Sequence, residues 1–396
     1  MIKGIRIRIY PNKHQKELIA KTFGCCRLVY NKGLALRKDI YELTKHNVGY
    51  KETCAWLTEL KHTDEFAFLK EVDSMALQQS LHDLDNAYQN FFKLNQGFPK
   101  FKSKHHYYPS YRTQNVTNGI YVSMDSKYIR LPKLGYVRSK VSYNLSNIKI
   151  NNATIRQTPS GKYFCTLNVD VDIPKNINKG ENIGIDLGVN DFYIDSNGNK
   201  CSNNRFLQKS QKKLTKEQRR LSHMIESHIV NYKVVNGYRH PIYDKPLSEC
   251  KNIQKQRIKV ARVHEHIANQ RNDFLQKQST RLVSENQVIG IEDLSVKNMV
   301  RNHKLAKSIS DVSWSKFVFM LEYKAQIYGT EIIKVPRFYA SSQLCSCCGH
   351  KNPAVKNLSI RNWTCPICNT YHDRDINAAT NILNKALEIK YEKLGI

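Results

Sequence analysis

Acidic side chains are scarce in this 396-residue chain, where 34 Asp and Glu stand against 63 Lys and Arg, for a formal charge of +29 and an isoelectric point near 9.6. A field of that sign repels cationic partners and favours polyanions. A merely basic protein, or one of ribosomal type, would carry the same charge. Long apolar runs are missing as well. No stretch reaches the roughly eighteen residues that a membrane helix needs, and Met1–Tyr10 lacks the apolar centre of a secretory signal, so neither membrane insertion nor secretion is expected. Cysteines are not spread along the chain, because five of the eleven fall within Cys345–Cys368. That clustering argues against a disulfide framework and for metal binding in a reducing compartment. At this length more than one core can be buried, and two or three domains are expected.

Ile5, Ile7 and Ile9 alternate with Arg6 and Arg8 ahead of Pro11, the period of a half-buried strand. From Lys13 to about Leu94 the spacing is helical. Leu77, Leu81, Leu84, Tyr88 and Phe91 form one stripe, which leaves Gln78, Gln79 and Asn86 on the opposite face. Taken alone, that amide face reads as a solvated helix surface. Between Lys93 and Lys149 eleven Lys or Arg stand against one acid, Asp125, with nine Phe or Tyr interleaved. Such a mixture suits a nucleic-acid groove, although each ring taken singly reads equally as a strand core. Thr117 to Asp172 reads as short strands with a turn at Pro159-Ser160-Gly161, and a small β-barrel with the Ile5–Ile9 strand as an added member is expected.

Pro174–Asn182 is a polar connection, followed by a strand carrying Asp186 and a hairpin turning at Asn197-Gly198. Two long basic helices are expected over Phe206 to about Tyr232 and over Ser248–Ser284, with a turn or loop at Gly237–Pro246. A strand ending at Glu292, a helix near Trp314–Tyr328, a strand over Glu331–Val335, the cysteine module and a terminal helix complete the chain.

Asp186 in Ile183-Gly184-Ile185-Asp186-Leu187-Gly188 and Glu292 in Val288-Ile289-Gly290-Ile291-Glu292 end apolar runs, where solvation poorly explains a charge. Period-two alternation sends Asp293 to the other face, which favours Glu292. A third acid opens the terminal helix. Asp375 shares a face with Ala378, Ala379 and Ile382, whereas Asp373 sits where a helix cap belongs. Strand acid, hairpin, strand acid and helix acid is the order of an RNase H-like nuclease. Hydrolysis of a phosphodiester with two Mg²⁺ ions needs such hard oxygen ligands, which makes Asp186, Glu292 and Asp375 the candidate catalytic and magnesium-binding residues. Cys345/Cys348 and Cys365/Cys368 are two C-x-x-C knuckles suited to one structural Zn²⁺, leaving Cys347 spare and His350 and His372 as secondary candidates.

The segments Leu344-Cys345-Ser346-Cys347-Cys348-Gly349, Trp363-Thr364-Cys365-Pro366-Ile367-Cys368 and His372-Asp373-Arg374-Asp375-Ile376-Asn377-Ala378-Ala379 resemble the C-terminal signature of the transposon-encoded TnpB (OrfB) family. Ser308–Trp314, Ile291–Leu294, His266–Arg271, Phe98–Ser103 and Leu77–Leu81 extend the resemblance over essentially the whole chain. The resemblance implies an RNA-guided DNA endonuclease related to type V CRISPR effectors, with a guide RNA from the transposon end, target DNA and a short transposon-adjacent motif. It implies an α/β multi-domain chain: a wedge β-barrel at 1–12 and 111–178, a helical recognition lobe at 13–110, a RuvC-like nuclease at 179–338 and 371–396, and a zinc ribbon at 339–370. Within it Gln78 and Gln79 suit base edges, and Lys100, Lys102, Lys104 and Arg112 suit phosphates. A cytoplasmic, nucleoid-associated setting follows, with no membrane partner and no sign of protein oligomerisation. The Met224–Glu249 connection is longer than such chains usually have. The three intact acids argue against the degenerate relatives that act as guided repressors. The competing readings are a non-catalytic zinc-ribbon regulator of transposition and a RuvC-like nuclease or transposase that works without RNA.

Overall fold

The computed structural model describes residues 1–104, 109–142, 145, 148–171 and 180–395. Three of the interleaved rings, Tyr107, Tyr108 and Tyr143, and residues 174–179 of the polar connection lie outside that set. The chain divides into two compact units, Met1–Asp172 and Ile173–Ile396.

The first unit begins with β1 (Ile2–Tyr10), whose Ile5, Ile7 and Ile9 are buried as the alternation requires. Helix α1 (Lys13–Thr44) starts at a reciprocal cap, in which Gln15 N–H donates to Asn12 Oδ1 and Asn12 N–H donates to Gln15 Oε1. Helices α2 (Tyr50–Leu60) and α3 (Ser74–Leu94) follow. The strands are β2 (Ser110–Gln114), β3 (Tyr121–Val122), β4 (Tyr128–Leu131), β5 (Gly135–Lys140), β6 (Ile150–Gln157) and β7 (Tyr163–Asp170). They form one antiparallel sheet in the order β2-β6-β7-β1-β5-β4-β3, which places β1 at its centre. Among the described residues no β2–β3 ladder closes this order, so its hydrogen bonding is that of an open sheet; β3, with two residues, is too short to seal a barrel. Helices and sheet share one core in which the β1 isoleucines meet Ile19, Phe23, Leu77, Leu81, Tyr111 and Ile155.

The second unit is built on β8 (Glu181–Leu187), β9 (Asp191–Asp195) and β10 (Lys200–Ser202), an antiparallel meander. Helix α4 (Phe206–Glu226) leads to β11 (Ile229–Val235) and β12 (Tyr238–Tyr243), and α5 (Lys251–Glu285) returns. The expected extension of the first basic helix to Tyr232 is corrected here; of the turn or loop expected at Gly237–Pro246, Gly237 lies in a turn and Tyr238–Tyr243 is strand. Val230, Tyr232 and Val234 are residues of strand preference, and Asn236-Gly237, both at positive φ, makes the two-residue turn of a hairpin. Then come β13 (Asn286–Glu292), α6 (Val296–Met299), α7 (His303–Val312), α8 (Trp314–Tyr328), β14 (Glu331–Val335), β15 (Asn362–Thr364), β16 (Tyr371–Asp373) and α9 (Arg374–Leu394). The main sheet is ordered β10-β9-β8-β13-β14, with β8, β13 and β14 parallel.

Alternation assigns the faces of that sheet. Ile183, Ile185, Leu187, Ile289 and Ile291 point into a core with α5 and α8, built around Leu275, Leu282, Phe317 and Leu321. Val288 points the other way, against Ile382 and Ala386 of α9. Gly184 and Gly290 are register partners on the α9 side. With no Cβ at either position, the helix lies directly on the strands. Among the described residues no helix is long and apolar enough to cross a membrane.

Candidate active site and nucleic-acid surface

Asp186 follows Gly184 by two residues and Glu292 follows Gly290 by two, so strand alternation brings both acids to the face that α9 covers. Asp375 lies one helical turn before Ala379, whose carbonyl rests over Gly184. Burial lifts the Asp186 carboxyl to about 8, the charges of Glu292 and Asp375 push it the same way, and Arg374 opposes them. Glu292 is also raised by burial, against a hydrogen bond from Ser341 Oγ at 2.8 Å. Asp293 lies outside this group and pairs with the Arg337 guanidinium.

Asp186 and Asp375 line one cleft of about 680 Å³ together with Asp191, Lys200, Arg361 and Asp373. Glu292 opens into a smaller cavity of about 230 Å³ beside Trp314 and Lys334. Asp373 is occupied as a cap: its Oδ1 accepts the N–H groups of Asp375 and Ile376, and Lys200 Nζ lies 2.8 Å from its Oδ2. Burial raises the Asp373 carboxyl, but Lys200 and the two N–H groups outweigh it and hold the group below its usual range. Asp375 keeps only a loose contact, with Arg361 Nη1 at 3.4 Å, and its side chain is 26% exposed. Asp191, Lys200 and Arg361 were not singled out from sequence. The Gly188-Val189-Asn190 bend ahead of Asp191 carries the available signal, since a Cβ on Gly188 would come within 2.7 Å of the Asp191 carbonyl oxygen. A further cavity, about 750 Å³, lies elsewhere, between β8–β10 and α5. Of its three acids, Glu181, Asp195 and Glu285, Asp195 is used by the hairpin turn, accepting from Asn197 and Asn199.

The sulfurs of Cys345, Cys348, Cys365 and Cys368 all lie within 4.8 Å of one another, which fits a single tetrahedral ion. Cys347 is exposed and outside the group. Hydrogen bonds from Thr370 lower Cys368 to about 6, toward the thiolate that a metal requires. His372 Nε2 lies 3.1 Å from Cys345 Sγ, a neighbour of the cluster. Among the described residues this is the one such group of ligand atoms, so the three carboxylates are not all within that distance of one another. Two ions about 4 Å apart span a wider ligand set than one does.

The sequence candidates for nucleic-acid contact meet different fates in the first unit. Gln79 is 7% exposed and, among the described residues, its buried Oε1 has no hydrogen-bond partner. The expected amide face is therefore corrected at Gln79: α3 packs against α1, α2 and β2 and buries Ala76, Gln79 and Ser80 besides its leucines, so its buried arc is wider than one stripe. Gln78 is half-buried. Lys102 packs its ammonium 3.8 Å from the centre of the Tyr30 ring, and burial lowers its pKa. Arg112 pairs with Asp83 at 2.7 Å, while Lys100 and Lys104 are exposed.

A more regular surface lies on the outer face of the sheet. Register sets Tyr121, Arg130 and Tyr136 in one row across β3, β4 and β5, and Tyr128, Arg138 and Tyr10 in the next across β4, β5 and β1. A third row follows, with Arg156 beside Phe164 and Phe164 beside Arg8, and with the Arg6 guanidinium 3.9 Å over the Phe164 ring. The four tyrosines are exposed. Tyr121, Tyr128, Arg130, Tyr136 and Arg138 belong to the ring-rich basic stretch Lys93–Lys149, but Tyr10 and Arg8 come into line with them only through strand pairing.

Three family descriptions match this chain: "Helix-turn-helix domain" over residues 1–46, "Probable transposase" over 164–303 and "Cas12f1-like, TNB domain" over 314–382. A Streptomyces pristinaespiralis protein named "Putative RNA-guided DNA endonuclease" is 35% identical over 97% of this chain and 89% of its own length. An Escherichia coli K12 protein, similarly named with the suffix InsQ, is 30% identical over 96% of this chain and 92% of its own. In fold, the chain resembles the protein of a Cas12f1–sgRNA–target DNA complex, with TM-score 0.51, 13% identity and coverage of 97% and 99%. It also resembles the mini-RNA-guided endonuclease CRISPR-Cas_phi3, with TM-score 0.54, 10% identity and coverage of 98% and 92%.

Proposed function

The chain belongs to the transposon-encoded TnpB (OrfB) family, and we propose from that membership and from its carboxylates that it is an RNA-guided DNA endonuclease. In this reading the second unit is an RNase H-like, RuvC-type nuclease carrying a zinc ribbon, and the first unit holds the wedge and recognition segments. Its partners are a guide RNA derived from the transposon end and a target DNA that bears a short adjacent motif, met in the cytoplasm at the nucleoid.

One observation carries the catalytic part: Asp186, half-buried on the glycine-floored face of the sheet, shares that face with Glu292 and lines one cleft with Asp375. Acids gathered in this way repel one another unless a cation joins them, and oxygen ligands of this kind fit Mg²⁺. Asp186, Glu292 and Asp375 would hold it. When bound, magnesium supplies charge stabilisation for the attacking and leaving oxygens of a phosphodiester. The chain's own residues set the frame, since Asp373 fixes the start of α9, Lys200 holds Asp373, and Arg361 lies at the mouth of the Asp375 cleft. Cys345, Cys348, Cys365 and Cys368 would bind a structural Zn²⁺. The Tyr/Arg rows support contact with an RNA or DNA strand through stacking and phosphate pairing.

The test is to sequence RNA that copurifies with the protein, reprogram its guide segment and assay cleavage of a matching DNA beside a randomised adjacent motif. Guide-dependent, Mg²⁺-dependent cutting that is lost in Asp186→Ala, Glu292→Ala and Asp375→Ala is the expected result. Cutting without RNA would favour the RNA-independent nuclease. Guided binding without any cutting would favour the non-catalytic regulator.

A further inference from the structure

Glu292 is held by a residue from a distant loop. Ser341 lies beyond the end of β14 on the way to the cysteine module, and its hydroxyl donates to Glu292 Oε1 at 2.8 Å. Ser341 is 6% exposed, so water does not compete easily for that hydroxyl. Its backbone is fixed in turn: Asn381 Nδ2 on α9 donates to the Ser341 carbonyl at 2.8 Å and to the Leu344 carbonyl at 2.7 Å. One turn earlier, Asn377 Nδ2 donates to the same Leu344 carbonyl at 2.7 Å, and its Oδ1 accepts the Ser346 N–H at 2.9 Å. Both asparagines are buried. Two successive turns of α9 therefore stitch down the segment from Ser341 to Ser346, which includes Cys345 of the sulfur cluster.

We propose that Ser341 is a positioning residue for the nuclease centre: it fixes one oxygen of Glu292 so that the remaining lone pairs face a divalent ion, and Asn381 sets Ser341. The inference rests on the proposed role of Glu292. Partners behind a metal ligand typically govern metal affinity by about 10- to 100-fold, because a free carboxylate must be ordered again each time the ion binds. The arrangement gives α9 a double duty. Its first turn presents Asp375, and two turns later it holds the group that orients the acid on β13. Asn377 extends the same support to the backbone beside Cys345, so the sulfur cluster and Glu292 share one framework.

The experiment compares wild type, Ser341→Ala, Ser341→Thr and Glu292→Gln, each carrying its copurified RNA. Mn²⁺ binding by calorimetry, corrected against Glu292→Gln, is measured beside the Mg²⁺ dependence of cleavage and the melting temperature. Ser341→Ala is expected to need ~10-fold more metal for half-saturation, with its melting temperature unchanged and much of its rate recovered at high metal. Ser341→Thr, which keeps the hydroxyl, is expected to restore the wild-type affinity. If alanine lowers the melting temperature, Ser341→Cys reads the same quantity with the volume kept and only a weak donor. Wild-type metal affinity in both the Ala and Cys variants, with Glu292→Gln inactive, would overturn the positioning role and leave the nuclease reading standing. A Glu292→Gln protein that cuts like wild type would overturn the assignment of Glu292, and this inference with it.

Discussion

The Ala379 carbonyl oxygen lies 2.1 Å from where a Cβ on Gly184 would be. Gly290, its partner across the ladder, has the Ala386 methyl 2.8 Å from its own missing Cβ. These close approaches set the height of α9 above the strands. That height determines how near Asp375 comes to the acids on β8 and β13, because the helix carries this proposed ligand one turn from the contact. The small residues at Ala378, Ala379 and Ala386 complete the fit from the helix side.

Gly184→Ala is therefore expected to be costly although it adds a single carbon. The obstruction is backbone, which cannot swing away as a flexible side chain can, so the helix must lift. A loss of about 1–3 kcal/mol is expected, the range for overpacked cores, together with a larger loss of cleavage. Thermal melting and a cleavage time course on the same preparation check it. A Gly184→Ala protein with wild-type melting and wild-type cutting would show that the close approach does not set the site.

The raised Asp186 carboxyl makes a pH prediction whose sign runs opposite to that of a salt-bridged acid. Its ordinary value is 3.8 and its folded value about 8, so between those limits the folded chain holds a proton that the unfolded chain has lost. Stability from this group is present at low pH and is lost as pH rises through that window. In magnesium-free buffer, Asp186→Asn should gain on wild type in melting temperature as pH rises from about 5 to about 9. Magnesium should narrow the gap at the alkaline end by stabilising the ionised acids. A difference that stays flat with pH would mean that Asp186 is ionised in the folded protein throughout.

Much of this was legible from local pattern, and the failures have physical causes. Ile5, Ile7 and Ile9, and the acids that end β8 and β13, announce themselves because a strand's period of two is short and the departures sit among apolar neighbours. Asn197-Gly198 reads as a hairpin turn, yet Asn236-Gly237 carries the same signal and reads only as part of a turn or loop without strands. The strands beside it bury almost nothing, with Val230, Val234 and Tyr238 exposed, so the expected alternation of inside and outside never forms. Gln79 misleads for the converse reason: a helix packed on two sides buries residues that a one-stripe projection leaves in water. Ser341 stands 49 residues from the acid it holds, and no periodicity reaches that far.

The cysteine module gives a prediction independent of cleavage. Cys345→Ser should abolish zinc binding and lower stability, because the small unit around Val355 and Trp363 has little core besides its ligands. Cys347→Ser should keep one zinc per chain, since that thiol is exposed and apart from the other four. Elemental analysis of freshly purified protein reads both. Equal loss of zinc from the two variants would place Cys347 among the ligands.

The Tyr/Arg rows separate two kinds of contribution to nucleic-acid binding. Tyr128 and Tyr136 are exposed and sit beside arginines in register, so rings and guanidinium groups alternate at the spacing of neighbouring strands. Tyr128→Ala or Tyr136→Ala should weaken binding of the copurified RNA by about 1–3 kcal/mol if a base stacks there, with little change in salt dependence. Arg130→Gln or Arg138→Gln should instead flatten the salt dependence, because a lost phosphate contact is a lost counterion release. Lys102→Ala is the contrasting case. Its ammonium lies over Tyr30 and its backbone N–H donates to the Asn31 side chain, so removing the side chain should lower the melting temperature more than it changes the salt slope. Filter binding of the RNA across a salt series, with melting curves on the same variants, distinguishes these outcomes. Tyrosine variants that bind as wild type at every salt concentration would return the rows to the reading of a solvated sheet face.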